Sequence, residues 1–456
     1  MGKVLRRLVA GLVVLSVLWI VGGKVLAGRW AAEADAAWTA LGTPMTAFAA
    51  RFPRRGQNES ARKLDGAAAK LGIAMAATDA AGRPQPSAAD AKAFEAVKPE
   101  LSQWLDAQLG KPSDDVAAPT GKLAAFLSAH APEIRALTSE LRAGEAPVWA
   151  QDVDMLADAP IPFLKGHRAL NNLLCASALE AQRQGHGAEA LELVAAALAA
   201  SSSLQGRADL ISRMIYVALL GSDLATLRKL EGVPAPWQSR VSEPDVRKST
   251  IGSLQTEAWF LAETLRRSGP VSRVRYANGE AKPEGPTLWS HVSAFYERPY
   301  ALLAAADYSR ALARATAELQ EQKGCAFEPE ALQAIDDKAK DEIGRWNVIG
   351  RIAVPSVAQA WAAVDRLRFH QELTAKVLKL KELKAAAADG SWPREVPGIE
   401  SSVCPGNRWT YVVTADGGAV LTASQSPSKN VPAVSYKGAP PAPARPAARK
   451  TSIASS

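Results

Sequence analysis

From Leu8 to Gly23 the chain runs sixteen residues without a charge, LVAGLVVLSVLWIVGG, directly after Lys3, Arg6 and Arg7. At about 1.5 Å per helical residue the run covers roughly 24 Å of a hydrocarbon layer about 30 Å thick. Val4 and Leu5 before it and Val25 and Leu26 after it lengthen the apolar stretch, and the Lys24 ammonium can snorkel to the headgroups. Basic residues ahead of such a segment favour a cytoplasmic N-terminus, so everything after Arg29 is expected outside the cytoplasmic membrane, in the periplasm or beyond. A basic start, an apolar core from Leu8 to Ile20, a Gly22-Gly23 break and Val25-Leu26-Ala27 are also the parts of a cleaved signal peptide. The length of the run and Trp19, suited to an interfacial belt, favour a retained anchor, with cleavage the alternative; either outcome exports the body.

Net charge is informative only once it is located. The chain of 456 residues is +8, yet residues 1–30 and 425–456 hold ten basic side chains and no acid, which leaves the body from 31 to 424 near −2. A near-neutral body lacks the field with which a phosphate-tracking surface displaces counterions, so nucleic acid is not an expected partner. Cys175, Cys325 and Cys404 are too few for a disulfide framework and too scattered for a metal site. Cys325 and Cys404 lie in Gly/Pro-marked turns (QKGCAFEP and SSVCPGN), whereas Cys175 lies in an apolar helical run. An exported chain permits a Cys325–Cys404 bridge with Cys175 buried and unpaired, the alternative being three thiols.

The body reads as mostly α, helical hairpins or a bundle, closed by a small C-terminal β-hairpin. Five regions are expected: 1–30 as anchor or signal peptide, 31–158 as an N-terminal helical region, 159–323 as a central hairpin domain, 324–424 as a long helix plus hairpin, and 425–456 as a disordered basic Pro/Ala-rich tail. Trp38, Leu41, Met45 and Phe48 continue a helical face to Phe52, with a kink at Pro44. A second helix is expected from Ser60 to Asp79. In the middle, Leu164–Gln184, Ala188–Ser203 and Arg207–Leu230 form three helices; Ala178, Gly185, Ala190, Leu191 and Ala197-Leu198 place small residues as a tetratricopeptide-like hairpin does. Helices follow at Val246–Arg267 and Pro299–Gln322, then a charged one at Pro329–Ile343 whose four carboxylates, Asp336, Asp337, Asp341 and Glu342, read as a solvated face. The last long helix is expected from Pro355 to about Ala388. Arg408–Val413 and Ala419–Ala423 flank Ala415-Asp416-Gly417-Gly418 as a hairpin.

This end of the chain carries a resemblance. A long helix, then Asp389-Gly390-Ser391-Trp392-Pro393, then the two-stranded RWTYVVTADGGAVLTAS resembles the C-terminal unit of type II secretion pseudopilins and of bacterial exported, membrane-anchored helical proteins, over about residues 360–424. The N-terminus lacks the prepilin pattern of a Gly cleavage site followed by an apolar run with Glu at its fifth position, and Cys404-Pro405-Gly406-Asn407 replaces the usual Asp-Pro-aromatic-Gly. The resemblance implies an envelope protein with a familiar terminal unit, not a pilus subunit, and it transfers no catalytic residue.

Local chemistry is sparse. His130, His167, His186, His291 and His370 never take zinc-helix spacing, and no P-loop, dinucleotide fingerprint or nucleophile elbow occurs. Ser60–Lys63 and Ser426–Lys429 have Ser-x-x-Lys spacing without the Ser-Asp-Asn and Lys-Thr-Gly partners of a penicillin-recognising enzyme. No catalytic residue, cofactor or metal is therefore assigned. The aromatic group Trp289, Phe295, Tyr296 and Tyr300, with Val292 and Tyr308, is either helix core or the floor of a ligand groove. The function expected is a membrane-anchored extracytoplasmic scaffold or adaptor binding another envelope protein. The alternatives are a ligand- or glycan-binding module, or an enzyme without a recognisable local motif.

Overall fold

The computed structural model describes residues 2–42, 44–75, 84–240, 245–267, 274–277, 280–283, 288–399, 403–426 and 433–437. The fold is mostly α, with an N-terminal apolar helix and a small antiparallel sheet near the C-terminus. The apolar run does not end in a break: α1 (Gly2–Ala40) is one helix that carries it straight into the body. Small residues make this possible. Gly23, Ala27 and Ala34 lie buried on one face with Trp38, which is fully covered. A Cβ on Gly23 would stand 2.7 Å from Cβ of Pro299, so only hydrogen fits where the helices touch. The expected helix to Phe52 is instead interrupted by a turn at Leu41-Gly42, beyond which lie short helical turns at Met45–Ala47 and Phe48–Arg51.

The first packed layer is α2 (Glu59–Lys70), α3 (Ala88–Leu109), α4 (Gly121–Ala129) and α5 (Ala131–Ala143). Asn58 caps α2 by accepting from Ala61 N at 2.9 Å, and Ser87 caps α3 by accepting from Asp90 N at 3.1 Å. Helix α2 is shorter than its sequence implies, because the chain turns at Gly72 with φ +77. The central helices α6 (Leu164–Arg183), α7 (Gly187–Ser202) and α8 (Leu210–Lys229) follow with short connections. One apolar core runs from Leu64 and Phe94 through Leu137 to Leu174, Val194 and Leu224, so the boundary expected at 159 separates no two cores.

A second core joins Trp38 of α1 to α9 (Val246–Arg267), α10 (Leu288–Glu321), α11 (Gln333–Glu342) and the first half of α12 (Val357–Ala386). Helix α10 begins eleven residues earlier than the expected Pro299 start, and Pro299 lies inside it. Proline costs a helix one hydrogen bond, and here its ring closes on Gly23. Strands β1 (Val274–Ala277) and β2 (Glu280–Pro283) pair antiparallel before α10.

The third core covers the second half of α12 with β3 (Trp409–Val413), β4 (Ala419–Ala423) and β5 (Ala433–Tyr436). Trp409 opposes Ala423 and Val413 opposes Ala419 in the expected hairpin; Ala419 then opposes Tyr436 in a third strand. That strand corrects the expectation of a disordered tail from 425. Val434 and Tyr436 alternate inward, Tyr436 lies 5.4 Å from the Trp392 ring, and Ser435 N donates to Pro112 O at 3.0 Å. Two inward residues are too short a pattern to read without the surface that receives them. Residues 438–456 lie outside the described ones.

Candidate functional site

A concavity lies where two helical pairs meet. Helix α5 runs beside α7, with α4 and α6 flanking them, and two cavities of about 390 and 540 Å³ open along this junction. They share Arg135, Glu189 and Leu193 and so form one trough. Leu127, Ile134 and Leu193 line its floor, each nearly covered by packing in the shared core. Its rim is charged with both signs. Arg183 makes two 2.7 Å bonds to Glu180, Arg142 lies 2.5 Å from Glu192, and Glu189 faces Arg135 at 3.7 Å and His186 at 3.9 Å. Exposed pairs of this kind contribute about 0–1 kcal/mol each, so they can re-pair with an incoming chain at small cost. None of these residues stands out in the sequence, because they come from four helices; the QGHG connection marks only the end of the trough.

A further cavity of about 630 Å³ lies between α9, α12, residues 396–399 and Val403. Its cations are already engaged: Arg247 and Arg368 approach Asp365 at 2.7 and 3.3 Å, and Lys376 lies 3.4 Å from Glu372. Beside it Cys325 and Cys404 are joined, with an S–S distance of 1.98 Å, while the Cys175 thiol is buried and unpaired.

Cys175 belongs to a polar knot inside the central helices. Asp223, fully buried, accepts from Asn171 Nδ2 at 2.6 Å, Ser201 Oγ at 2.9 Å and Cys175 Sγ at 3.4 Å. Burial pushes its carboxyl up to about 7 despite these donors, and burial beside Asp223 pushes the Cys175 thiol up. A high-pKa thiol is a poor nucleophile, and no described cavity reaches it. The knot fixes how α6, α7 and α8 meet.

A second polar junction ties α8 to α12 and β5. Lys381 Nζ donates to Arg228 O and Leu230 O, both at 2.8 Å, and Lys229 Nζ donates to Lys111 O at 3.1 Å and Ser113 O at 2.5 Å. Lys381 thus meets carbonyls at the α8 C-terminus and Lys229 carbonyls just past the α3 C-terminus, and burial lowers both to about 8. Arg228 donates to Thr374 Oγ1 at 2.8 Å and lies 3.3 Å from His370 Nδ1, whose pKa burial lowers to about 3. His370 is thus a neutral, partly buried residue beside Arg228 and Thr374.

The other sequence candidates are dispersed. Phe295 and Tyr296 are exposed on α10 beside α1, Tyr300 is half-buried and donates to Trp346 O at 3.2 Å, and Tyr308 is core. The Trp289 side chain lies outside the described ones, and Phe295, Tyr296 and Tyr300 line none of the three cavities above. His130 packs on Phe126 and His167 on Trp149. The α11 carboxylates diverge: Asp336 is not solvated but buried, accepting from Ser356 Oγ and Ala358 N at the start of α12, while Asp337 accepts from Gln333. Among the described residues no three His, Cys, Asp or Glu gather as metal ligands would. No protein-family model matches the chain, and neither a curated protein nor a solved structure matches it.

Proposed function

We propose that the chain is a membrane-anchored helical adaptor of the bacterial cell envelope, whose body outside the cytoplasmic membrane seats a segment of another envelope protein in the α5–α7 trough. The trough carries this reading: an apolar floor with a rim of both signs, open along the length of two helices, suits an amphipathic polypeptide. The likeness of residues 360–424 to pseudopilin ends supports an envelope setting. Retention of α1 is supported by its packing. Cutting after Ala27 would detach Gly23 from Pro299 and uncover the α10 flank beneath it.

The test places a photo-crosslinking residue at Ser128 or Ser139, both exposed beside the trough, and at Ile211 as a control, in the full-length protein in its own membranes. A discrete polypeptide adduct is expected from the two trough positions and not from Ile211. Reversing Arg135 and Arg142 to Glu is expected to reduce it about tenfold through like-charge contacts. Equal adducts at all three positions, or none, would overturn the reading.

A further inference from the structure

The apolar surface of α1 does not stop at the anchor; it continues onto the body. Leu8 to Leu26 is nineteen residues, about 28 Å of helix, which matches the hydrocarbon thickness and leaves Arg6 and Arg7 at one headgroup layer and Arg29 at the other. Helix α10 runs parallel to this helix: Tyr296 meets Ser16 and Trp19, Pro299 meets Gly23, and Arg310 meets Trp30 and Glu33. Phe295 and Tyr296, 54% and 43% exposed, therefore lie level with the middle of the apolar run. From there an aromatic line leads outward. Tyr300 packs 5.7 Å from Trp346, and Trp346 packs 6.3 Å from Trp30. Trp30 is four residues beyond Leu26, about 6 Å, within a headgroup layer roughly 5–8 Å deep.

At that height the chain presents Trp346, Val348, Ile349 and Ile352, the last 81% exposed. The turn that carries them is clamped from behind. Asn347, fully buried, donates to Ala304 O at 2.9 Å and Asp307 at 3.2 Å and accepts from Gly350 N at 2.9 Å. Arg351 donates to Lys340 O at 3.0 Å, and Tyr308 donates to Ala353 O at 3.2 Å. The backbone is held while the aliphatic side chains are turned to the outside. Arg345 precedes Trp346 in the sequence, and Glu297 and Arg298 follow Tyr296.

We propose that the Trp346–Ile352 turn, with the Phe295–Tyr296 flank of α10, is a bilayer-contacting face that seats the body on the lipid surface into which α1 is inserted. The occupant follows from continuity with the anchor: the exposed apolar side chains carry on from α1 through the Tyr296–Trp19 and Trp346–Trp30 contacts. The inference rests on α1 being a retained anchor.

Its test uses the full-length protein in vesicles of phosphatidylethanolamine and phosphatidylglycerol, carrying an environment-sensitive fluorophore on Ile352→Cys, Phe295→Cys or, as control, Ile211→Cys. Cys175 is buried and the other two cysteines are bonded, so labelling is confined to the new site. Emission at 352 and 295 is expected to shift to the blue and to be quenched by lipids brominated near the headgroup, at 295 also by lipids brominated deeper, with neither effect at 211. Water-like emission at 352 in protein that floats with the vesicles would overturn the inference. So would a blue shift without lipid quenching, which would make a protein surface the occupant. Failure to float with the vesicles would instead overturn the retained anchor.

Discussion

Asp223 is a buried ionisable group and His370 a partly buried one, and their effects on stability run in opposite directions. Asp223 is raised from 3.8 to about 7, so between those values the native state holds more protons than the unfolded chain, and stability falls as pH rises through that window. His370 is lowered from 6.5 to about 3, so the native state holds fewer protons there; its stability is full above about 6.5 and is lost as pH falls toward 3. The two slopes oppose each other between about pH 4 and 6.5, where the parent protein hides both. Asp223→Asn keeps an acceptor for Asn171 and removes one slope. Its unfolding free energy minus that of the parent is expected to rise by about 1.4 kcal/mol per pH unit across that window, measured by urea melts. A flat difference would mean that Asp223 ionises as it does in water. Neither residue announces this in the sequence, where Asp223 looks like any acid in LLGSDLATL and only Ser201 and Asn171, brought from other helices, show it to be interior.

Among the elements, α9 and α12 follow their sequence patterns closely, because an apolar stripe over twenty or more residues leaves a helix one way to pack. Helix α10 does not, since Pro299 reads as a helix start when nothing shows that its ring will close against Gly23. The C-terminal unit is held to α12 both covalently and by packing. The Cys325–Cys404 bridge closes a separation of 79 residues, Arg368 Nη2 donates to Val403 O at 2.8 Å beside it, and Phe369 stacks on Trp409 at 5.1 Å. Replacing both cysteines by serine is expected to lower stability by about 2 to 5 kcal/mol in guanidinium melts of the full chain, chiefly through the freed unfolded state. A change below about 0.5 kcal/mol would show that packing of the sheet on α12 suffices.

For the whole molecule, α1 is a structural helix of the body as well as the proposed anchor. Mass analysis of the membrane-extracted protein is expected to recover residues 1–30, and a reporter enzyme active only outside the cytoplasm, fused after Ser456, is expected to be active; a mature chain beginning near Gly28 would remove the anchor and the α10 seam together. The long apolar run, the helical periods and the β3–β4 hairpin were legible from the sequence alone, because each is set by neighbours within a turn or two and by the cost of placing apolar side chains in water. Only the tertiary structure decided that α5 and α7 would open a trough, that Val434 and Tyr436 would make a third strand, and that Trp346–Ile352 would stand exposed at the height of Trp30. Those features join residues scores to hundreds of positions apart, and no local pattern reports which distant surface a short segment will meet.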